Sequence, residues 1–379
     1  MKKNFLYLFT VLCTLSFFTA CSDDDDPKDP NVLDVNAAYS GDKLDLKYGD
    51  SALLGKEITF DTKDGKTATI TMKGLFSLSD IMPKSTAAAP SMAPGVIPGE
   101  VTTTISNVPL ILSGEKYTFE GEYTGAAGVK ATYSGEVQKD KLTMSVKATM
   151  PTGDLVGTSW TLAPLNPVAG SFPMVMVWKS ETPLKIDGNI IDPNIPAGTI
   201  IDVKVEDLLA QKNVNALVSG LLGVVLESIT YQNDGNIVAS YKKMIASNWS
   251  TSPINLAQYY IKDKKLYVQL NIANIMATVE TNKSKAEMPQ LDLMTLLGSL
   301  LSTGVPLDYN IKDGALQVTA GTSLLLPILK VATSDEMFPL IQTMLPESTP
   351  EIMKGLLSQI PGVVNGTTEI SGTLNLVKK

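Results

Sequence analysis

The chain has 379 residues, 44% of them hydrophobic and 18% charged, with a formal charge of −8 and no histidine. That balance excludes a disordered chain, and its negative sign opposes binding to nucleic acid or anionic lipid headgroups. Arginine is absent as well, so the usual general base, the commonest metal ligand and the bidentate phosphate clamp are all missing.

The amino terminus reads as an export signal. Lys2 and Lys3 precede an uncharged stretch of fourteen residues, Phe5 to Phe18. A spanning helix needs about 20 apolar residues, so the stretch fits a processed signal peptide over residues 1–20. Phe18-Thr19-Ala20-Cys21 sets small residues before a cysteine, and Ser22, Asp23, Asp24, Asp25 and Asp26 follow at once. Thr19-Ala20-Cys21 resembles the lipobox of bacterial lipoproteins. The resemblance implies cleavage before Cys21 and its acylation, including palmitate, with the membrane as partner through the lipid anchor. The other cysteine, Cys13, falls in the removed peptide, so Cys21 has no intramolecular disulfide partner. Ser22 with Asp23 to Asp26 resembles the export tag of surface lipoproteins from Bacteroides-type bacteria, which implies an outer-membrane protein exposed at the cell surface. Residues 21–34 would also serve as an extended acidic tether. Without Lys2 and Lys3 the chain carries 29 lysines against 39 acids, a net charge of −10.

Length and composition fit about two domains, placed at 35–152 and 153–379. From Ala38 onward, short alternating runs bounded by charged turns predict antiparallel strands. Lys43 to Tyr48, Glu57 to Phe60 and Thr67 to Ser77 come first, the last two joined through Asp64-Gly65. Val101 to Leu112, Lys116 to Tyr123, Val129 to Val137 and Leu142 to Ala148 complete an expected up-and-down barrel or curled sheet. Met82 to Gly99, rich in proline, alanine and serine, is expected to be a mobile surface loop between strands.

After Asp154 the pattern becomes α+β, a mixed antiparallel sheet with inserted helices. Leu155 to Trp160 starts a strand, and Ser228 to Tyr231 pairs with Ile237 to Tyr241 around Asn233-Asp234-Gly235-Asn236. Helical spacing covers Val205 to Leu217, Leu291 to Leu301, Asp335 to Leu345 and Pro350 to Ile360. Leu217 to Leu226 reads as a buried helix. The pattern Tyr-x-Ile-Lys-Asp-x-x-Leu-x-Val occurs at Tyr259 to Val268 and again at Tyr309 to Val318, which predicts two related hairpins of one sheet. Two copies are too few for a solenoid. Thr367 to Val377 is an alternating strand that would complete the sheet.

Tyr39-Ser40-Gly41, Tyr133-Ser134-Gly135 and the Gly157 to Trp160 segment resemble calycin-like, lipocalin-related lipoproteins. Gly235-Asn236-Ile237-Val238 and Trp249 to Pro253 resemble an uncharacterised lipoprotein domain of the same bacteria. These resemblances imply a β-barrel and transfer no catalytic residue.

Candidate chemistry is sparse. Trp160, Trp178 and Trp249 would stack on a sugar, line an apolar pocket, or fill the core. The fifteen methionines would form an adaptable binding surface or fill core gaps. Asp50-Ser51-Ala52 matches a short O-glycosylation acceptor pattern of these bacteria. No cofactor or metal set is indicated. The reading is a non-enzymatic surface lipoprotein that binds an apolar or neutral ligand, a lipid or glycan. The alternative is a structural or adhesive protein whose partner is another protein. A carboxylate-dependent hydrolase trails both, because nothing marks one pair among the 39 acids.

Overall fold

The computed structural model describes residues 32–75, 93–211, 213–242, 247–278, 300–335, 338–343 and 351–379. Cys21, Ser22, Asp23 to Asp26 and the helix expected over most of 291–301 lie outside them. The described chain is mainly β, as the alternating runs predict.

The first half holds ten strands in two sheets. β1 (Ala37–Ser40), β4 (Lys56–Asp61), β5 (Thr67–Gly74) and β6 (Thr102–Pro109) are ordered β1-β4-β5-β6. β2 (Leu44–Tyr48), β3 (Ser51–Ala52), β7 (Ile111–Ser113), β8 (Lys116–Thr124), β9 (Lys130–Gln138) and β10 (Lys141–Thr149) are ordered β3-β2-β10-β9-β8-β7. Two stretches of chain make the corners, each running from one sheet into the other. β1 continues into β2 past Gly41, whose φ of +55° suits glycine. β6 continues into β7 through Pro109 and Leu110, after a bulge opposite Ala68–Ile70. Strands that switch sheets at a bend give a barrel-like enclosure. One pairing in it is parallel, β10 with β2. Tyr39, Tyr48, Ile58, Phe60, Ile70, Met72, Leu142 and Met144 fill the space between the sheets and are fully buried.

The second half closes further than its sequence suggests. β11 (Thr158–Leu162), β15 (Leu226–Tyr231), β16 (Asn236–Tyr241), β18 (Ala257–Lys262), β19 (Lys265–Leu270), β20 (Val305–Lys312), β21 (Ala315–Ala320) and β22 (Thr367–Lys378) follow one another around a sheet. β22 then pairs with β11, Leu376 opposite Leu162, so the eight strands form a ring. β12 (Met174–Ser180) adds to the outer part of β22, and β17 (Ser250–Thr251) to β16. β13 (Leu184–Asp187) pairs with β14 (Ile200–Val203) apart from the ring. The repeated motif becomes the hairpins β18–β19 and β20–β21, with Tyr259 opposite Val268 and Tyr309 opposite Val318. Both turn through two left-handed residues, Asp263-Lys264 and Asp313-Gly314, the geometry that matches strand twist. Trp160, Tyr231, Tyr259, Leu266, Leu316, Val318 and Leu376 pack into the shared core.

Helices decorate the ring: α1 (Val205–Gln211), α2 (Val214–Val225), α3 (Ile272–Thr278), α4 (Thr322–Ala332), α5 (Phe338–Thr343), α6 (Glu351–Leu357) and α7 (Ile360–Asn365). The apolar run at Leu217 is helical, but it is not buried as expected. Leu217, Leu221 and Val224 are exposed, Leu217 by 61%. The polar side faces inward because it has work there. Asn215 accepts from the Met176 amide at 2.8 Å and Ser219 from the Met174 amide at 3.0 Å. These bonds satisfy the open edge of β12.

No ladder pairing among the described residues crosses 150–157, yet the halves share a polar seam. Asn255, held at φ +65°, donates to the carbonyls of Tyr48, Ser51 and Ala52. The Tyr48 hydroxyl donates to the Asp234 carbonyl, and Asn274 bonds Leu54 N and Ala52 O. Lys56 is 3% exposed and donates to Pro94 O (2.6 Å), Gly95 O (3.1 Å) and Asn271 Oδ1 (3.0 Å).

Of the expected mobile loop at 82–99, residues 93–99 are described, and they are a buried strap rather than a mobile loop. Val96 and Ile97 are fully buried, and Gly99 N donates to Gln269 Oε1 at 3.2 Å. The strap packs because its prolines have no amide to satisfy. Lys56 takes up its free carbonyls. A Cβ on Gly95 would sit 2.9 Å from the Val101 carbonyl oxygen, so only glycine permits that approach.

Candidate functional site

The tryptophans do not converge. Trp160 is 1% exposed, inside the core, with Nε1 donating to Thr158 Oγ1 at 2.8 Å. It packs into the core of the ring. Trp178 on β12 is half-buried against the small cluster of Leu184, Ile186, Val203, Val205 and Val363 and donates to Thr367 Oγ1 at 2.8 Å. Trp249 is 40% exposed, with the Lys242 ammonium 4.8 Å from its ring centre. Ser51 of the Asp-Ser-Ala pattern is exposed on the short strand β3.

One polar face is a feature that sequence reading did not single out. β8, β9 and β10 are in register, and alternate residues share one face. Three cross-strand rows result: Glu120, Ser134, Ser145; then Glu122, Thr132, Lys147; then Thr124, Lys130, Thr149. Strand spacing sets the rows on a lattice of about 4.8 by about 6.7 Å. Two adjoining hollows of about 400 and 430 Å³ lie over this face and share Glu122, Thr132 and Lys147.

The opposite side of the same strands explains their curvature. Phe119 lies across Gly135 and Tyr133 across Gly121, and each is the direct cross-strand partner of its glycine. Glycines covered by aromatic rings are positions where a sheet bends without losing its packing.

Two glutamates and two lysines make the nine-residue face neutral as a whole. None of the nine has an ion pair or side-chain hydrogen bond among the described residues. Some lysines and carboxylates elsewhere are paired. Lys116 pairs with Glu136 and Lys73 with Glu57. The buried Glu100 takes hydrogen bonds from Tyr123, Thr103 and Ala126 N. Burial first, and then the bond to Glu100, push the Tyr123 phenol up to about 12. Glu100 is thus structural, docking the Gly125 turn, whereas the face keeps its donors and acceptors free.

No family model, curated protein or solved structure matches this chain. Its site therefore stands on geometry alone. Among the described residues no cluster of three or more Cys, Asp or Glu has metal-binding geometry. No described helix is long and apolar enough to cross a membrane.

Proposed function

We propose that the protein is a non-enzymatic, lipid-anchored lipoprotein of the bacterial cell surface that binds a neutral glycan on the face of β8–β10. The observation that carries the reading is the free, charge-balanced set of nine polar side chains over a hollow. A glycan offers many hydroxyls that both donate and accept, and such a lattice of hydroxyl, carboxylate and ammonium groups meets them in kind. Neutrality of the face, within a chain of net −10, disfavours an anionic polymer. The interiors of both units are occupied by side chains, which supports a ligand held outside rather than a lipid inside a lumen. Cys21 and the Ser22–Asp26 tag support the anchor and the surface location, and calycin-like relatedness remains part of this proposal.

Isothermal titration against a panel of neutral and sulfated polysaccharides tests it. Wild-type protein binds a neutral member, and Glu122→Gln or Thr132→Trp weakens binding at least tenfold with an unchanged melting temperature. Capture of sulfated members alone, or equal affinity in both variants, overturns the assignment.

Ile111 and Leu112 support the adhesive alternative. They are exposed on β7, the edge strand of the same six-stranded sheet, and an open apolar edge is a template for a partner's strand. Loss of binding to a protein partner in Ile111→Lys, with glycan binding absent from wild type, would favour that reading.

A further inference from the structure

The outer wall of the eight-stranded ring carries a separate cleft of about 340 Å³, between β19, β20 and the start of α4. Three of its walls are rigid rings. Tyr267 is stacked on Tyr260, ring centres 4.8 Å apart and planes at 10°. Tyr260 is itself buried, its hydroxyl donating to the Thr303 carbonyl at 2.7 Å. Pro306 stands directly across the ladder from Tyr267. Pro327, inside α4, faces them, and Leu300 and Leu324 complete the apolar lining. Walls that are already fixed lose little entropy when a ligand is bound.

The polar groups are few. Proline has no amide hydrogen, so Pro327 cannot supply the helical bond to the carbonyl four residues earlier, that of Ser323. Both residues line the cleft, so the Ser323 carbonyl lacks its usual helical donor. At the rim, Lys265 Nζ and Asp308 Oδ1 pair at 2.9 Å and neutralise one another. An apolar hollow with rigid aromatic walls and one or two oriented polar groups is the usual form of a small-molecule site, and this volume lies at the small end of the usual range of about 300–1,000 Å³. A helix, about 10 Å across, is too large for it.

We infer that this cleft binds a small neutral ring compound bearing a hydroxyl or N–H donor, its ring against Tyr267 and the two prolines and its donor on the Ser323 carbonyl. The inference is independent of the polar face on β8–β10.

The probe is N-phenyl-1-naphthylamine, a neutral diarylamine with one N–H. It is titrated by fluorescence into the full chain carrying Cys21→Ser, so that neither acyl chains nor detergent attract it. One saturable site of micromolar dissociation constant is expected. Gly321 has ordinary φ and open space around its missing Cβ, so Gly321→Trp fills the cleft without straining the backbone. That variant weakens binding at least tenfold with an unchanged melting temperature, Tyr267→Ala weakens it as well, and Thr132→Trp leaves it intact. Absence of saturable binding in the unsubstituted cleft, or equal affinity in Gly321→Trp, overturns the inference, as does weakening by Thr132→Trp.

Discussion

Replacing Lys56 by methionine separates burial from charge at the seam between the halves. The side chains are similar in length, so the change removes the ammonium and leaves most of the packing. Lys56 has three neutral oxygens as partners and no carboxylate among them. Loss of hydration therefore pushes its ammonium down from 10.5 to about 7. An unfolded lysine keeps its proton to about 10.4. Between those limits the unfolded chain binds one proton more than the folded one, so the contribution to stability rises with pH and is lost as pH falls toward 7. At about 1.4 kcal/mol per pH unit, and allowing for half-protonation near pH 7, wild type gains about 2 kcal/mol over Lys56→Met from pH 7 to pH 9. The chain has no histidine to obscure this interval. Urea titrations of both proteins at pH 6.5, 7, 8 and 9 measure the difference. A difference that stays constant, or shrinks as pH rises, refutes the argument that an uncompensated lysine is buried at the seam.

Above pH 10 the trend reverses. Burial raises Tyr39 and Tyr260 to about 12, and Tyr231 and Tyr259 rise further. Their stabilisation is complete below pH 10 and is lost as pH rises through 12, so circular dichroism should show cooperative alkaline unfolding in that window; a fold intact at pH 12.5 would contradict it. Trp160→Ala empties the ring core and should cost about 3–5 kcal/mol, read as a fall in urea midpoint, and a loss under 1 kcal/mol would mean the indole is not core. Gly135→Ala drives a methyl into the Phe119 ring and the Thr143 carbonyl; expression as a less stable protein with a lower melting temperature is expected, and an unchanged melting temperature refutes the close approach. The seam of Lys56, Asn255, Tyr48 and Asn274 should make the full chain melt in one calorimetric transition, and two well-separated transitions would show the halves to be uncoupled.

Strand positions were legible because one face of each strand is buried and period-2 alternation follows. Lys116 to Tyr123 and Leu142 to Ala148 lie within β8 and β10. The repeat at Tyr259 and Tyr309 was legible for the same reason, with turn residues that accept left-handed conformations. Ring closure was not legible. Whether β22 meets β11 depends on sheet coiling over more than two hundred residues of sequence separation, and alternation carries no information on which distant strands meet. Lys56 reads as an ordinary surface residue, since its burial is created by Asn271 and the strap from elsewhere in the chain. At α2 the periodicity misled: Leu217 and Leu221 suggested burial, but the unpaired amides of β12 required Asn215 and Ser219 instead. The polar face escaped notice because it contains no rare residue type. Its meaning lies in register, which aligns Glu122, Thr132 and Lys147 across three strands, and in the absence of partners for them.

Threonine methyl resonances report most directly on where the ligand sits. With methyl-labelled threonine, a saturating neutral polysaccharide is predicted to shift Thr124, Thr132 and Thr149, while Thr319 and Thr373, bonded to each other on β21 and β22 at 2.9 Å, remain in place. Shifts confined to residues outside β8–β10, or none with any neutral glycan, would contradict the assignment of that face as the binding site.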